Sequence, residues 1–295
     1  MNENLTSADI FIINLSAGGH QLSISTDLNI NRSVTINNNT GLLAMIRGMS
    51  KTGTINLNNT VAGSNVIMNN VTISDFDTAI THKLRMYDLH ITNTTFSGNS
   101  SYVHGAGMYF NKGYSKLSNV TITNNICDLM IDATDAFGGG IYIGGTSQVY
   151  IKNSILAENI DLSGTNRAHD VIGTIRSEGY NVIGECNNGI YCTVAGNTIG
   201  NLVGIPATPI NPQLDVLTIQ NTPFFTYYHP IKSGSLAINA GDSLGCKDGN
   251  GSILTTDQLG QTRIQMGCCD MGAAKSAFTN SDPVASFVFL PLLTK

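Results

Sequence analysis

Five aspartates carry the residue type that acid-driven chemistry on a sugar polymer requires: Asp75, Asp77, Asp88, Asp128 and Asp132. Hydrolysis of a glycosidic bond needs two carboxyl groups a short distance apart, one acting as acid and the other as base or nucleophile. Eliminative cleavage of an acidic polysaccharide needs cation-binding acids and a Lys or Arg base. Asp128, Asp132 and Asp135 fall in one stretch after Cys127 and are candidate ligands for Ca²⁺, although a solvated loop has the same composition. Asp248-Gly249-Asn250-Gly251-Ser252 offers oxygens at alternate positions but lacks the sixth-position Gly and distal Glu of a Ca²⁺ loop, so it reads as a Gly-rich turn. No histidine pairs at the spacing of a nucleophile triad or a metal site, and no Gly-X-Ser-X-Gly occurs. Tyr102, Tyr109 and Tyr142 supply rings that can stack on sugars.

These residues sit within a repeat. Asn93-Thr94-Thr95-Phe96 runs to Asn99, Asn119-Val120-Thr121-Ile122 to Asn125, and Asn153-Ser154-Ile155-Leu156 to Asn159, with a degenerate copy at Asn70-Val71-Thr72-Ile73. The lead asparagines step by 23, 26 and 34 residues. A second phrase, Gly105-Ala106-Gly107-Met108-Tyr109, returns as Gly138-Gly139-Gly140-Ile141-Tyr142. Such periodicity marks a solenoid, because one coil cannot bury its apolar side alone and must stack on another. Asn70, Asn93, Asn119 and Asn153 are therefore read as structural: Asn tolerates a left-handed corner, and stacked amides can hydrogen-bond along the axis. Asn70, Asn93 and Asn119 also head Asn-X-Thr sequons, taken here as by-products of the repeat. In a solenoid an active site shows as acids at one offset in successive coils. Five residues past each lead Asn stand Asp75, Gly98, Asn124 and Glu158; five before stand Asn65, Asp88, Tyr114 and Gln148. Neither column is acidic throughout.

Short runs of Ile, Val and Leu bounded by Gly, Asn or Ser predict strands from the first residues onward, and no stretch sustains a helical period. Charged residues make up only 12% of the chain and the net charge is −5, which disfavours a nucleic-acid partner. The six cysteines form no CxxC pair, which argues against zinc. Cys186 can close a small loop with Cys192, and Cys246 can reach Cys268 or Cys269, as suits an oxidising compartment. The first residues do not read as a signal peptide. The apolar stretch 284–293 is too short for a membrane-spanning helix; it suits a last strand or part of a surface-retention signal.

Prolines at 206, 209, 212, 223 and 230 mark a change of texture after residue 200, read as a closing cap for the solenoid. That region holds Asn211-Pro212-Gln213-Leu214, Ser235-Leu236-Ala237-Ile238-Asn239-Ala240-Gly241-Asp242, Thr256-Asp257-Gln258-Leu259-Gly260 and Cys269-Asp270-Met271-Gly272-Ala273. With Gly179-Tyr180-Asn181-Val182-Ile183-Gly184 and Gly138-Gly139-Gly140-Ile141-Tyr142, these phrases resemble the choice-of-anchor Q group, bacterial right-handed parallel β-helix proteins of the pectate-lyase-like superfamily. The group usually has Arg where Leu259 stands and Phe-Glu where Ala274-Lys275 stands. The resemblance implies an exported, cell-surface protein.

The expectation is an all-β chain: a right-handed single-stranded parallel β-helix with an irregular C-terminal cap. Coils span residues 1–200, the cap 201–275 and continues the solenoid, and a linker with a short apolar tail covers 276–295. The expected function is a non-catalytic adhesion or polysaccharide-binding module, with a polysaccharide or surface glycan as partner, no nucleic acid and no transmembrane helix. The alternative is a polysaccharide lyase or glycoside hydrolase acting on acidic polysaccharide, with Ca²⁺ the one cofactor to consider. An ice binder, which needs an even Thr-X-Thr array, ranks third.

Overall fold

A computed structural model describes residues 11–14, 20–30, 33–38, 44–49, 53–57, 64–82, 87–128, 137–162, 169–186, 189–220, 226–263 and 269–278. Among them are strands and turns and no helix. The chain visits three faces in fixed order. Phe11–Asn14, Val34–Asn37, Ser64–Asn69, Tyr87–Thr92, Tyr114–Ser118, Gln148–Lys152, Val171–Glu178 and Cys192–Asn197 pair in parallel as the first face. His20–Ile24, Ala44–Gly48, Thr72–Ser74, Thr95–Ser97, Thr121–Thr123, Ile155–Leu156, Val182–Ile183 and Leu202–Val203 form the second. Leu28–Ile30, Thr54–Leu57, Thr78–His82, Met108–Phe110 and Ile141–Ile143 form the third, which ends on Val171–Glu178. The result is an all-β solenoid of parallel sheets. Three two-residue strands, Ser100–Ser101, Ile126–Cys127 and Ile160–Asp161, stack as a small extra sheet between the second and third faces.

Register places like residues above one another. Ile46, Ile73, Phe96, Ile122, Leu156 and Ile183 are successive partners on the second face, and all are buried. Each such side chain contributes roughly 1.5–3 kcal/mol by leaving water. Columns from the first face (Val66, Leu89, Val149) and the third (Ile55, Ile80, Met108, Ile141) complete the core.

The repeated asparagines divide into two jobs. The lead residues Asn70, Asn93, Asn119 and Asn153 hold the left-handed corner between the first and second faces, with φ of 58°, 48°, 55° and 49°. Asn pays little for that conformation. The second asparagine of each phrase builds the amide ladder. Asn99 donates to Asn125 at 2.8 Å, Asn125 to Asn159 at 2.9 Å, and Asn159 to the Asp170 carboxylate at 2.8 Å. Gly107 and Gly140 of the second repeat face this ladder. A Cβ on Gly140 would stand 2.4 Å from the Asp170 carbonyl and 2.9 Å from Asn159 Nδ2, so only Gly fits.

The C-terminal segment first stacks on the last coil, through Leu202–Val203 and the Ile210 N–H to the Gly184 carbonyl, and from residue 226 it lies along the flank of the second face. Gln258 reaches Thr72 at 2.8 Å and Thr95 at 2.6 Å, Ser97 meets His229 at 2.8 Å, and the Ala273 N–H donates to Thr121. The lead asparagines bind this segment too: Asn93 donates to the Thr256 carbonyl, Asn119 to that of Lys247, and Asn153 accepts from the Asp242 N–H. Disulfides join Cys186 to Cys192 and Cys246 to Cys269. The Thr/Ser columns Thr72-Thr95-Thr121 and Ser74-Ser97-Thr123 thus exist but are buried, which removes them from any ice surface. Residues 284–293 lie outside the described residues.

Candidate functional site

Among the described residues the sequence-derived acids take separate places in the coils. Asp75 holds a left-handed corner (φ 57°) and pairs with Arg47 Nε at 2.5 Å. Asp77 precedes the third face, half-buried beside Ser101; burial pushes its carboxyl above the ordinary range. Asp88 is exposed on the first face, in register with Asn65 and Tyr114. Asp128 follows the short strand Ile126–Cys127. Asp132 and Asp135 lie outside the described residues. Among the described residues no group of three or more His, Cys, Asp or Glu is placed to share a metal ion.

Two other arrangements do gather chemistry. The first is on the third face. Tyr109 and Tyr142 are register partners, with ring centroids 5.4 Å apart and planes within 15°. His104 lies 4.4 Å from Tyr142 and 5.8 Å from Tyr109, and Phe137 lies 5.4 Å from His104, all near parallel. Gly144 leaves room for this stack, since a Cβ there would meet the Tyr142 ring at 2.7 Å. Tyr102 sits two residues before His104 and is 48% exposed, beside the 61% exposed Val103. A second aromatic pair, Tyr114 and Tyr150, lies on the first face, but Lys116 and Arg176 already stand 5.8 and 5.9 Å over those rings.

The second arrangement is a pocket of about 320 Å³ between the second and third faces, beside the small extra sheet. Glu158 and Glu185 come from successive coils, each two residues beyond the paired Leu156 and Ile183. Asp170 lies at the back, fully buried, and accepts from the Asn159 N–H and side-chain amide. His169 Nδ1 accepts from the Asp161 N–H at 2.8 Å, which leaves the proton of the neutral ring on Nε2, 3.9 Å from Glu185 Oε2. Ile160, Pro209 and Ile210 supply apolar walls. Desolvation raises the pKa of all three carboxyls, that of Asp170 to about 7; Lys232 and Asn211 oppose the rise at Glu158, and His169 opposes it at Glu185. Raised acids beside a histidine are the usual companions of proton transfer or charge recognition.

No family model, curated protein or solved structure matches this chain. The functional reading therefore rests on these two arrangements. A larger cleft, about 530 Å³, opens in the C-terminal segment near Tyr228, Gln261 and Phe278. Its acid, Asp215, is exposed and paired with Lys232 at 3.6 Å, so we place no chemistry there.

Asp170 makes the pocket sensitive to pH. Its folded pKa is raised from 3.8 to about 7, so the folded chain keeps a proton that the unfolded chain has released. That stability is fully present below the unfolded value and is lost as pH rises through about 7, at roughly 1.4 kcal/mol per pH unit. Asp170→Asn should flatten this part of the melting-temperature profile. An unchanged slope would show that Asp170 is ionised throughout.

Proposed function

We propose that the chain is an exported surface protein that binds an extended polysaccharide on the aromatic stack of its third face, and that its solenoid is a right-handed parallel β-helix. The observation that carries the binding reading is the His104, Tyr109, Tyr142 and Phe137 stack. Neighbouring rings already hold one another's orientation, so little side-chain freedom is lost when a sugar docks. Tyrosine also brings a hydroxyl to the edge of an apolar ring, which suits a polyhydroxylated ligand. The right-handed winding is supported by the general handedness of parallel crossovers and by the resemblance to choice-of-anchor Q proteins. Two disulfides support an oxidising compartment. No helix among the described residues is long and apolar enough to cross a membrane.

One observation favours a second reading, a glycoside hydrolase: Glu158 and Glu185 come from successive coils and line one cleft. Stacked strands lie about 4.8 Å apart, close to the spacing that two carboxyls of a retaining hydrolase require. The two readings separate on product release. The binding reading is tested by Tyr109→Ala and Tyr142→Ala, each expected to weaken glycan affinity about tenfold, with Tyr150→Ala on the first face as the neutral control. Equal affinity in all four proteins would remove the third face as the binding surface.

A further inference from the structure

We infer that the corner pocket at Glu185 is a subsite for an organic ammonium group, of the kind that an amino sugar with a free amine carries. The inference rests on the glycan-binding reading for the identity of the ligand, and on the pocket alone for its charge. Three carboxyl groups, Glu158, Asp170 and Glu185, face one cavity, against His169 and the more distant Lys232. Glu185 is only 7% exposed; His169 partners its carboxyl through the backbone N–H and the ring, and the Oε1 has no hydrogen-bond partner among the described residues. An unpartnered oxygen of a buried carboxylate is costly, and a donor arriving with positive charge relieves both the missing hydrogen bond and the desolvation. Burial raises the pKa of these acids, in keeping with sites whose anionic form lacks a sufficient countercharge.

The occupant is organic rather than metallic. The carboxyls do not converge on a point that would hold an ion, and the cavity, about 320 Å³, pairs them with the apolar Ile160, Pro209 and Ile210. A sugar ring bearing one ammonium matches a small, partly apolar pocket with a few fixed polar groups. The location also suits one polymer crossing both sites. The His169 and Asp170 carbonyls accept from the N–H groups of Gly140 and Ile141, which lead directly into Tyr142 of the aromatic stack. The pocket is therefore one coil further along the same corner.

The test is calorimetric titration of the full chain with methyl glucosaminide, its N-acetyl counterpart and Ca²⁺ near neutral pH. The free amine is expected to bind about tenfold or more tightly than the N-acetyl form, because one charge-assisted hydrogen bond carries that difference. Glu185→Gln should erase the preference. Glu158→Gln should reduce it, and serves as the deciding variant if Glu185→Gln lowers the melting temperature. Equal binding of the two sugars, binding of neither, or a Ca²⁺ site that Glu185→Gln abolishes in the absence of amine binding would each overturn the inference. Tyr109→Ala and Tyr142→Ala keep the two readings apart. If they leave polymer binding intact while Glu185→Gln removes it, the aromatic stack fails and the ammonium subsite stands.

Discussion

Asn125→Ala is expected to lower the unfolding free energy by about 4 kcal/mol, one of the two largest losses we predict from a single side chain. Asn125 is fully buried at the centre of the amide ladder. Its Oδ1 accepts from the Asn99 N–H at 3.1 Å and the Asn99 side-chain amide at 2.8 Å. Its Nδ2 donates to Asn159 Oδ1 at 2.9 Å and toward the carbonyls of Thr123 and Phe96 at 3.0 and 3.1 Å. Alanine strips the Asn99 N–H of its acceptor and removes one bond each from the Asn99 amide and Asn159 Oδ1, which keep the Ile73 carbonyl and the Asn125 N–H. A buried orphan costs on the order of 1–3 kcal/mol, and the lost bonds on either side add to it. Asn125→Asp keeps the shape and the accepting oxygen but turns an oxygen toward Asn159 Oδ1, so it should be no milder. Urea unfolding followed by circular dichroism measures both. A loss below about 1 kcal/mol for the alanine variant would show that the ladder is not cooperative.

Arg263→Ala is expected to release the C-terminal segment from the second face, with a loss of roughly 3–5 kcal/mol. Arg263 is fully buried, and its Nη2 donates to Asn93 Oδ1 and the Gly272 carbonyl, both at 2.7 Å. The guanidinium also compensates Asp257 and Asp270, themselves 1% and 3% exposed. Removing the cation leaves two buried carboxyls without their countercharge, which costs more than the direct hydrogen bonds alone. Arg263→Lys keeps the charge but should recover only part of the loss, because an ammonium is more strongly hydrated than a guanidinium and costs more to bury. Limited proteolysis gives the readout: early cleavage within 226–276, with the coils retained. A wild-type digestion pattern for Arg263→Ala would contradict this role.

Much of the scaffold could be read from the sequence because each coil repeats the same physical problem. Asn at 70, 93, 119 and 153 announces the left-handed corner, and the apolar residue three positions on falls in the core column. Two features escaped that reading. The covering of the second face depends on contacts more than 150 residues apart, such as Gln258 to Thr72, and local pattern carries no trace of them. The acidic pocket escaped for a narrower reason. The acid five residues past the lead Asn is Glu158 in the coil headed by Asn153, and the next coil is headed by Tyr180, not Asn. Tyr180 holds the same left-handed corner at φ 60°, so its fifth residue, Glu185, belongs to the same column. Asparagine marks that column only as far as the coil of Asn153. Asp170 was hidden likewise: it ends the amide ladder from only 11 residues past Asn159, where the repeat predicts nothing. Tyr109 and Tyr142, by contrast, were visible as the shared last residue of the two Gly-rich phrases, and the structure places them side by side.

The most direct measurement of the central claim is a glycan array on the purified chain, with reducing and unsaturated sugars assayed in the same wells. Retention of an extended polysaccharide is expected, with loss of that signal in the Tyr109→Ala and Tyr142→Ala proteins and no released product. Absence of any glycan signal would contradict the binding surface. Release of sugars that Glu158→Gln and Glu185→Gln abolish would contradict the non-catalytic reading and make the corner pocket an active site.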